Sequence, residues 1–180
     1  MKATVVVLLS IFSASAFAQD RAPTSATSAC GPASAQFDTQ MGEEKQALSQ
    51  PGNGKGQVYV VEVFEKVVGE LAHPTLRVGL DGHWVGADKG DSYLTFAVDP
   101  GEHHLCTNWQ SHFKRLSKEA AFAGFNAEAG KTYYFRAKIV EHGGSSGAST
   151  FSLDLDQVNE DEGKYLVASS KSSVSQLKQK

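Results

Sequence analysis

Histidines are the side chains of this 180-residue chain best suited to metal binding or to acid–base chemistry near neutral pH. His103 and His104 are adjacent, and an imidazole nitrogen is a good ligand for zinc, copper or nickel. Successive side chains of a β-strand point to opposite faces, so two neighbouring histidines on one strand do not share an ion. One of them could meet His83 or His112 in space, but the spacing itself predicts neither a metal site nor a cofactor.

A small hydrolase is nevertheless one functional hypothesis. It would be metal-assisted or would use acid–base catalysis, with His83, Asp91 and His103 as the working residues. The serine-rich segment 143–149 lacks the strand-to-helix G-x-S-x-G elbow of a nucleophile, and the glycine-rich segment 51–56 lacks the spacing of a phosphate loop. The hypothesis therefore depends on residues that only the fold can bring together.

We consider the acidic residues near the C-terminus as a calcium-binding loop. Asp154 and Asp156 are followed by Asn159 and three acids, but this segment lacks the ligand at the fifth position and the glycine at the sixth that a calcium loop uses. Carboxylates are also favoured at the N-terminus of a helix. We therefore interpret residues 159–162 as the start of a C-terminal helix.

Aromatic residues provide a possible ligand surface. Trp84 and Trp109 would line a groove for a sugar or a peptide, together with some of Tyr93, Tyr133 and Tyr134. Aromatic side chains also dominate protein cores, so packing in the interior is the competing interpretation of each of them.

The first 18 residues predict export. Lys2 precedes an apolar stretch over Ala3–Phe12, and Ala16–Ala18 forms an A-x-A cleavage site. A membrane-spanning helix would need about 20 apolar residues, so we interpret residues 1–18 as a cleaved signal peptide that leaves no transmembrane segment. Lipid anchoring at Cys30 is disfavoured because the residues before it are small and polar. The predicted location is periplasmic or extracellular.

The predicted export determines how the two cysteines are interpreted. Cys30 and Cys106 are far apart in the sequence and form no C-x-x-C motif, so in an oxidising compartment they predict a disulfide. On the chain-entropy model, closing a loop of this length stabilises the fold by about 4.5 kcal/mol before strain is subtracted. The bridge would hold an N-terminal arm against the folded domain.

Composition and patterning predict one all-β domain. The formal net charge is −3 and hydrophobic residues make up 41% of the chain, which is typical of a globular protein and gives no basic excess for nucleic acid. Asp81-Gly82 is a strong hairpin turn. The segments with strand-like patterning are Val58–Phe64, Thr75–Leu80, His83–Gly86, Ser92–Val98, Glu102–Trp109, Thr132–Val140 and Phe151–Leu155.

These segments predict a single antiparallel β-sandwich of about seven strands with a short C-terminal helix. Residues 19–56 would form an N-terminal arm and linker, and residues 57–168 the sandwich with its helix. Residues 110–123 have mixed character, as expected of a long loop or a short helix. Residues 169–180 are serine- and lysine-rich and are predicted to be a disordered tail.

Several motifs together resemble an uncharacterised bacterial family of exported and lipoprotein-type envelope proteins. They are Cys30–Pro32, Val78–Gly86, Asp91–Tyr93, Val98–Trp109, Ala129–Arg136 and Asp161–Leu166. The D-G-x-x-V-G and P-G-x-H-x-L patterns are also loosely similar to β-sandwich modules of the transthyretin or PEGA type. The resemblance implies a class and a location, and it carries no functional residues to this chain.

The function predicted from the sequence is therefore that of an exported, non-enzymatic envelope or secreted module. Such a module would bind or scaffold other envelope components, with an envelope protein or a glycan as its partner. The hydrolase that uses His83, Asp91 and His103 is the alternative.

Overall fold

The computed structural model describes residues 29–42, 48, 50–64, 74–143 and 150–179. Within these ranges the chain forms ten strands and an α-helix near the C-terminus, and Ala29 and Cys30 are also helical. The strands are β1 (Phe37–Met41), β2 (Gly56–Phe64), β3 (Thr75–Leu80), β4 (His83–Lys89), β5 (Ser92–Val98), β6 (Gly101–Gln110), β7 (Ala120–Ala127), β8 (Thr132–His142), β9 (Thr150–Val158) and β10 (Lys171–Leu177). The helix α1 spans Glu160–Ser169, and a 3₁₀ turn spans Leu116–Lys118.

The strands form two sheets. A six-stranded sheet has the order β1-β10-β5-β2-β8-β9, and a four-stranded sheet has the order β4-β3-β6-β7. The β2–β8 and β10–β5 pairs are parallel, whereas the other pairs are antiparallel. The prediction of a mostly β fold with a short C-terminal helix is confirmed, but the prediction of a single antiparallel sandwich of about seven strands is wrong.

The main core lies between the two sheets. Alternate residues of each strand point inward, so that Val58 and Phe135 of the six-stranded sheet pack in one cluster with Leu76, Leu105 and Trp109 of the four-stranded sheet. The predicted hairpin turn joins β3 to β4. Asp81 and Gly82 both have positive φ angles, 50° and 79°, which is the conformation that an Asp-Gly hairpin turn requires.

A second cluster lies on the outer face of the six-stranded sheet, under α1. Tyr59 stacks on Tyr134, with 5.4 Å between ring centroids, and Val167 of the helix packs against the same cluster. The helix begins as predicted: the Asn159 side chain accepts a hydrogen bond of 2.9 Å from the backbone N–H of Glu162, and acids occupy the first turn. The acidic run is thus the start of a helix.

Strand β1 lies within the predicted N-terminal arm and linker, and two further strands, β7 and β10, were not predicted from the sequence. The segment of β7 is rich in alanine and is held by pairing with β6. Strand β10 occupies the predicted disordered tail and lies between β1 and β5. Its serines bridge to the other sheet, because Ser173 Oγ donates to the carbonyl of Ala87 and Ser175 Oγ accepts from the Ala87 N–H. Residues that look solvated in the sequence therefore complete a sheet.

Gly163 sets the approach of α1 to the sheet, and we expect Gly163→Ala to destabilise the protein. A Cβ at this position would overlap the Tyr134 ring. Helix propensity alone favours alanine by about 1 kcal/mol, whereas the overlap should lower the free energy of unfolding by about 1–3 kcal/mol. Urea denaturation measures the sign. Ala168→Gly, at an exposed position of the same helix, is the control for propensity; a stabilised Gly163→Ala variant would contradict the packing argument.

Candidate functional site

The predicted disulfide is present and attaches an arm to the four-stranded sheet. Cys30 is bonded to Cys106 of β6, with 5.6 Å between the Cα atoms. From Cys30 the chain crosses the outer face of this sheet and enters β1 at Phe37. A Cβ at Gly79 would overlap the carbonyl of Cys30, so the arm lies directly on the backbone of β3. We call residues 30–36 the arm.

Arg77 of β3 is the main polar contact of the arm. Its Nη1 donates to the carbonyls of Ala33 and Ala35 at 3.2 and 2.6 Å, and Nε and Nη2 both donate to Asn108 Oδ1. The guanidinium also lies over the Trp84 ring, 4.5 Å from its centroid. Arg77 is only 4% exposed, and burial lowers its pKa. Nothing in the sequence pattern distinguishes Arg77 from an exposed strand residue.

The two tryptophans lie on opposite faces of the four-stranded sheet. Trp84 is on the outer face, where its Nε1 donates to the carbonyl of Pro32 in the arm at 2.9 Å. Trp109 is 5% exposed and packs edge-on against Phe151 in the core between the sheets. Their side chains therefore do not line one groove.

His103 is held by two acceptors. Its Nδ1 lies 2.7 Å from Asp81 Oδ2 and its Nε2 lies 2.8 Å from the carbonyl oxygen of Asp99. Because both partners are acceptors, both hydrogen bonds form when each ring nitrogen carries a proton, as in the imidazolium form. Partial burial lowers the pKa of His103, but the hydrogen bonds that its ring donates to the Asp81 carboxylate and the Asp99 carbonyl raise it overall. In spite of its own desolvation, contacts with His104 and His103 hold the pKa of Asp81 below its usual value. Neither nitrogen is left to act as a base.

The residues of the hydrolase hypothesis are divided between two ends of β4. His83 and His103 both contact Asp81, since His83 Nδ1 lies 3.0 Å from the Asp81 carbonyl oxygen. Asp91 follows the other end of β4, which spans roughly 20 Å at the usual rise of a strand. His104 uses its backbone N–H to bond Asp81 Oδ1 at 2.8 Å. The structure thus brings together the two histidines and Asp81, but not Asp91.

A pair of buried carboxyls was not predicted. Glu62 of β2 and Asp88 of β4 are 1% and 0% exposed, and they come from different sheets. Among the described residues none of their four oxygens accepts a well-formed hydrogen bond from an N–H or O–H donor. The two carboxyls lie close enough for their charges to repel, which favours a proton on one of them. Burial, and for Glu62 also the neighbouring Asp88 charge, raises the pKa of both groups.

An apolar groove lies beside the arm on the outer face of β6 and β7. Its volume is about 340 Å³, and the Phe122 side chain that borders it is 51% exposed. The lining residues are Ala29, His104, Leu105, Cys106, Phe122, Ala123 and Gly124. The arm covers the β3 side of this face, and the groove lies open beside it.

Two absences concern the described residues alone. In that part of the chain, no three or more His, Cys, Asp and Glu side chains are grouped in a way that would hold a metal ion. The same residues contain no helix with the length and apolar character to cross a membrane. The predicted signal peptide, residues 1–18, lies outside the described residues.

We expect Asp81→Asn to lower the pKa of His103 toward 6.5, the ordinary value for histidine. Asparagine tolerates the positive φ of this position and keeps an acceptor for the His104 N–H, so the main change is the lost charge. NMR titration of the His103 ring measures the shift, and the His142 ring on the other sheet is the internal reference. An unchanged His103 titration would show that the ion pair is not the cause.

The Glu62–Asp88 pair predicts that stability falls as the pH rises. Because both pKa values are raised, the folded state keeps a carboxyl proton at a pH where the unfolded chain has lost it, so the free energy of unfolding decreases above the ordinary carboxyl values of 3.8 and 4.5. Glu62→Gln keeps a donor toward Asp88 at every pH and should flatten this slope between about pH 5 and about pH 8. Urea denaturation across that range tests it. Glu128→Gln, at an exposed acid, is the control and should keep the wild-type slope.

No family model, curated protein or solved structure matches this chain in the three comparisons made with known proteins. The family resemblance therefore remains a prediction from its motifs.

Proposed function

We propose that this chain is an exported, non-enzymatic module that binds or scaffolds other components of the cell envelope. The observation that carries the proposal is the groove between the arm and Phe122, on a sheet face that the disulfide holds in place. The partner would be an envelope protein or a glycan-bearing component that presents an apolar group to the groove.

The disulfide supports the location. Bridges of this kind persist in oxidising compartments and are rare in the cytosol. Together with the predicted signal peptide, it favours the periplasm or the extracellular space as the site of action.

The groove has the properties of a contact surface. Phe122 lies opposite Cys106 in the β6–β7 register, so its backbone is fixed beside the bridge on a paired strand. A Cβ at Gly124 would meet no atom closer than 3.9 Å, which leaves the floor of the groove open. A rigid aromatic beside an open apolar floor can take up a side chain from a partner without rearrangement.

The geometry gives no comparable support to the hydrolase. Both ring nitrogens of His103 lie within hydrogen-bond distance of acceptor oxygens, and Asp91 is at the far end of β4 from His83. A hydrolytic mechanism that used all three would have to break the His103 contacts and bend a paired strand.

The proposal is tested by placing a photo-crosslinking amino acid at position 122 of the chain in its native envelope. We expect a discrete crosslinked product that is absent when the same group replaces Tyr165, an aromatic that is 70% exposed on α1. Gly124→Phe should abolish the product because it fills the groove, whereas Gly124→Ala should leave most of it.

Equal products from positions 122 and 165, or a product that survives Gly124→Phe, would contradict the groove as the binding site. Circular dichroism of each variant shows whether the fold is kept, so that a lost product is assigned to the groove.

A further inference from the structure

The connection between β6 and β7 presents an exposed aromatic among cations. Phe113 is 73% exposed, the largest exposure of any apolar side chain in the described residues. Lys114, Arg115 and Lys118 are exposed as well. Residues 111–118 contain three permanent cations and no carboxylate, although the whole chain has a net charge of −3. We call residues 111–118 the basic loop.

The basic loop is ordered by its own hydrogen bonds. Ser111 Oγ accepts from the Phe113 N–H, the Ser117 N–H bonds the Phe113 carbonyl, and the Lys118 N–H bonds the Arg115 carbonyl. Leu116 is partly buried against the main core. Phe113 thus projects from a defined turn, and its exposure does not result from an unstructured segment.

The base of the loop is fixed from inside the sheet. Asn108 is fully buried, and its Nδ2 donates to the carbonyls of Ser117 and Glu119 at 3.0 and 2.7 Å. Its Oδ1 accepts from Arg77, which in turn holds the arm. A buried network therefore holds in place a loop whose tip makes no contact with the core.

The cations of the tip are unpaired within the described structure. Lys114, Arg115 and Lys118 form no ion pair with a described acid, whereas Lys55, Lys164 and other surface cations do. Their charge is directed outward around Phe113. His112 is exposed beside them.

We propose that the basic loop docks the protein on an anionic lipid surface. Phe113 would enter the boundary between headgroups and acyl chains, and the three cations would contact the anionic headgroups around it. This goes beyond the proposed function, because it concerns a different surface and a different class of partner.

The shape of the loop favours a lipid surface over an acidic protein. Two cavities of about 330 and 340 Å³ lie elsewhere, and the pocket that Ser111 and His112 line at the base of the loop has a volume of only about 60 Å³. A protruding side chain beside so small a pocket offers a folded partner little area. A fluid bilayer can accommodate such a side chain, and basic residues near it are attracted to an anionic leaflet.

The expected binding is weak and salt-dependent. Each cation near an anionic leaflet raises the partition coefficient about fivefold, and insertion of one phenylalanine raises it roughly tenfold. Attachment would therefore be reversible and should weaken as added salt shortens the screening length.

Flotation with lipid vesicles tests the proposal, using the exported protein after its N-terminus has been checked by mass spectrometry. Vesicles of phosphatidylcholine alone are compared with an equal mixture of phosphatidylcholine and phosphatidylglycerol at low salt. We expect binding to the mixture only. Replacing Lys114, Arg115 and Lys118 with Gln should reduce the partition coefficient about a hundredfold, and Phe113→Ser roughly tenfold.

Matched controls lie at the opposite end of the sheets. A triple variant with Gln at Lys55, Lys131 and Lys164 removes the same charge, and Tyr165→Ser removes another exposed aromatic; both should bind the mixed vesicles as the wild type does. If the control triple variant lost as much vesicle binding as the loop variant, the effect would come from net charge alone, and the proposal would be overturned.

Two further outcomes would also overturn it. The first is binding to soluble polyglutamate as tight as to mixed vesicles and unaffected by Phe113→Ser, which would identify an acidic polymer as the partner. The second is absence of binding to mixed vesicles. Neither result bears on crosslinking from position 122, so the two proposals fail separately.

Discussion

The buried guanidinium of Arg77 is the constraint on which the outer face of the four-stranded sheet depends. A guanidinium carries five N–H donors and no acceptor, so its burial is tolerated only where carbonyl or amide oxygens surround it. Those oxygens come from Ala33, Ala35 and Asn108, and two of the three belong to the arm. The arm is therefore part of the fold, and the disulfide keeps its carbonyls within reach of Arg77.

The same constraint extends to both surfaces proposed for binding. Because Arg77 offers only donors, the amide oxygen of Asn108 must face it, and the amide nitrogen must face the base of the basic loop. On the other side, the attachment of the arm at Cys30 places Ala29 at the border of the groove. The buried Arg77 side chain thus fixes the arm, and through the arm and Asn108 it also positions the border of the groove and the base of the basic loop. These three surfaces are ordered although they are partly exposed to solvent.

Local signals in the sequence were sufficient for some of this structure. The hairpin turn at Asp81-Gly82 depends only on the backbone preferences of these two residues, and the helix start at Asn159 depends only on its cap and first turn. Both were therefore predicted correctly. The disulfide followed from the count of cysteines and the compartment. Strands β7 and β10 lack apolar alternation, and they exist because distant strands offer them hydrogen bonds.

The candidate sites were harder to predict for the same reason. Glu62 lies in a β-branched run that reads as an ordinary strand, and its partner Asp88 comes from the other sheet. His103 was singled out for chemistry, but whether its nitrogens are free depends on the Asp99 carbonyl and the Asp81 carboxylate meeting it across a turn. Such pairings join residues that are far apart in the sequence, and they depend on strand pairing and register, which local sequence patterns do not specify.

The two titrating clusters act on opposite ends of β4 and favour the same conditions. The Asp81–His103 pair stabilises the fold most above the ordinary aspartate value of 3.8 and below the ordinary histidine value of 6.5, because the pKa of Asp81 is lowered and that of His103 is raised. The Glu62–Asp88 pair gains stability as the pH falls from alkaline values, since both pKa values are raised. At mildly acidic pH, the Asp81–His103 pair before β4 and the Glu62–Asp88 contact near the end of β4 therefore both stabilise the fold. The β3–β4 hairpin, which carries Arg77 and Trp84 under the arm, should accordingly be held most firmly in that range.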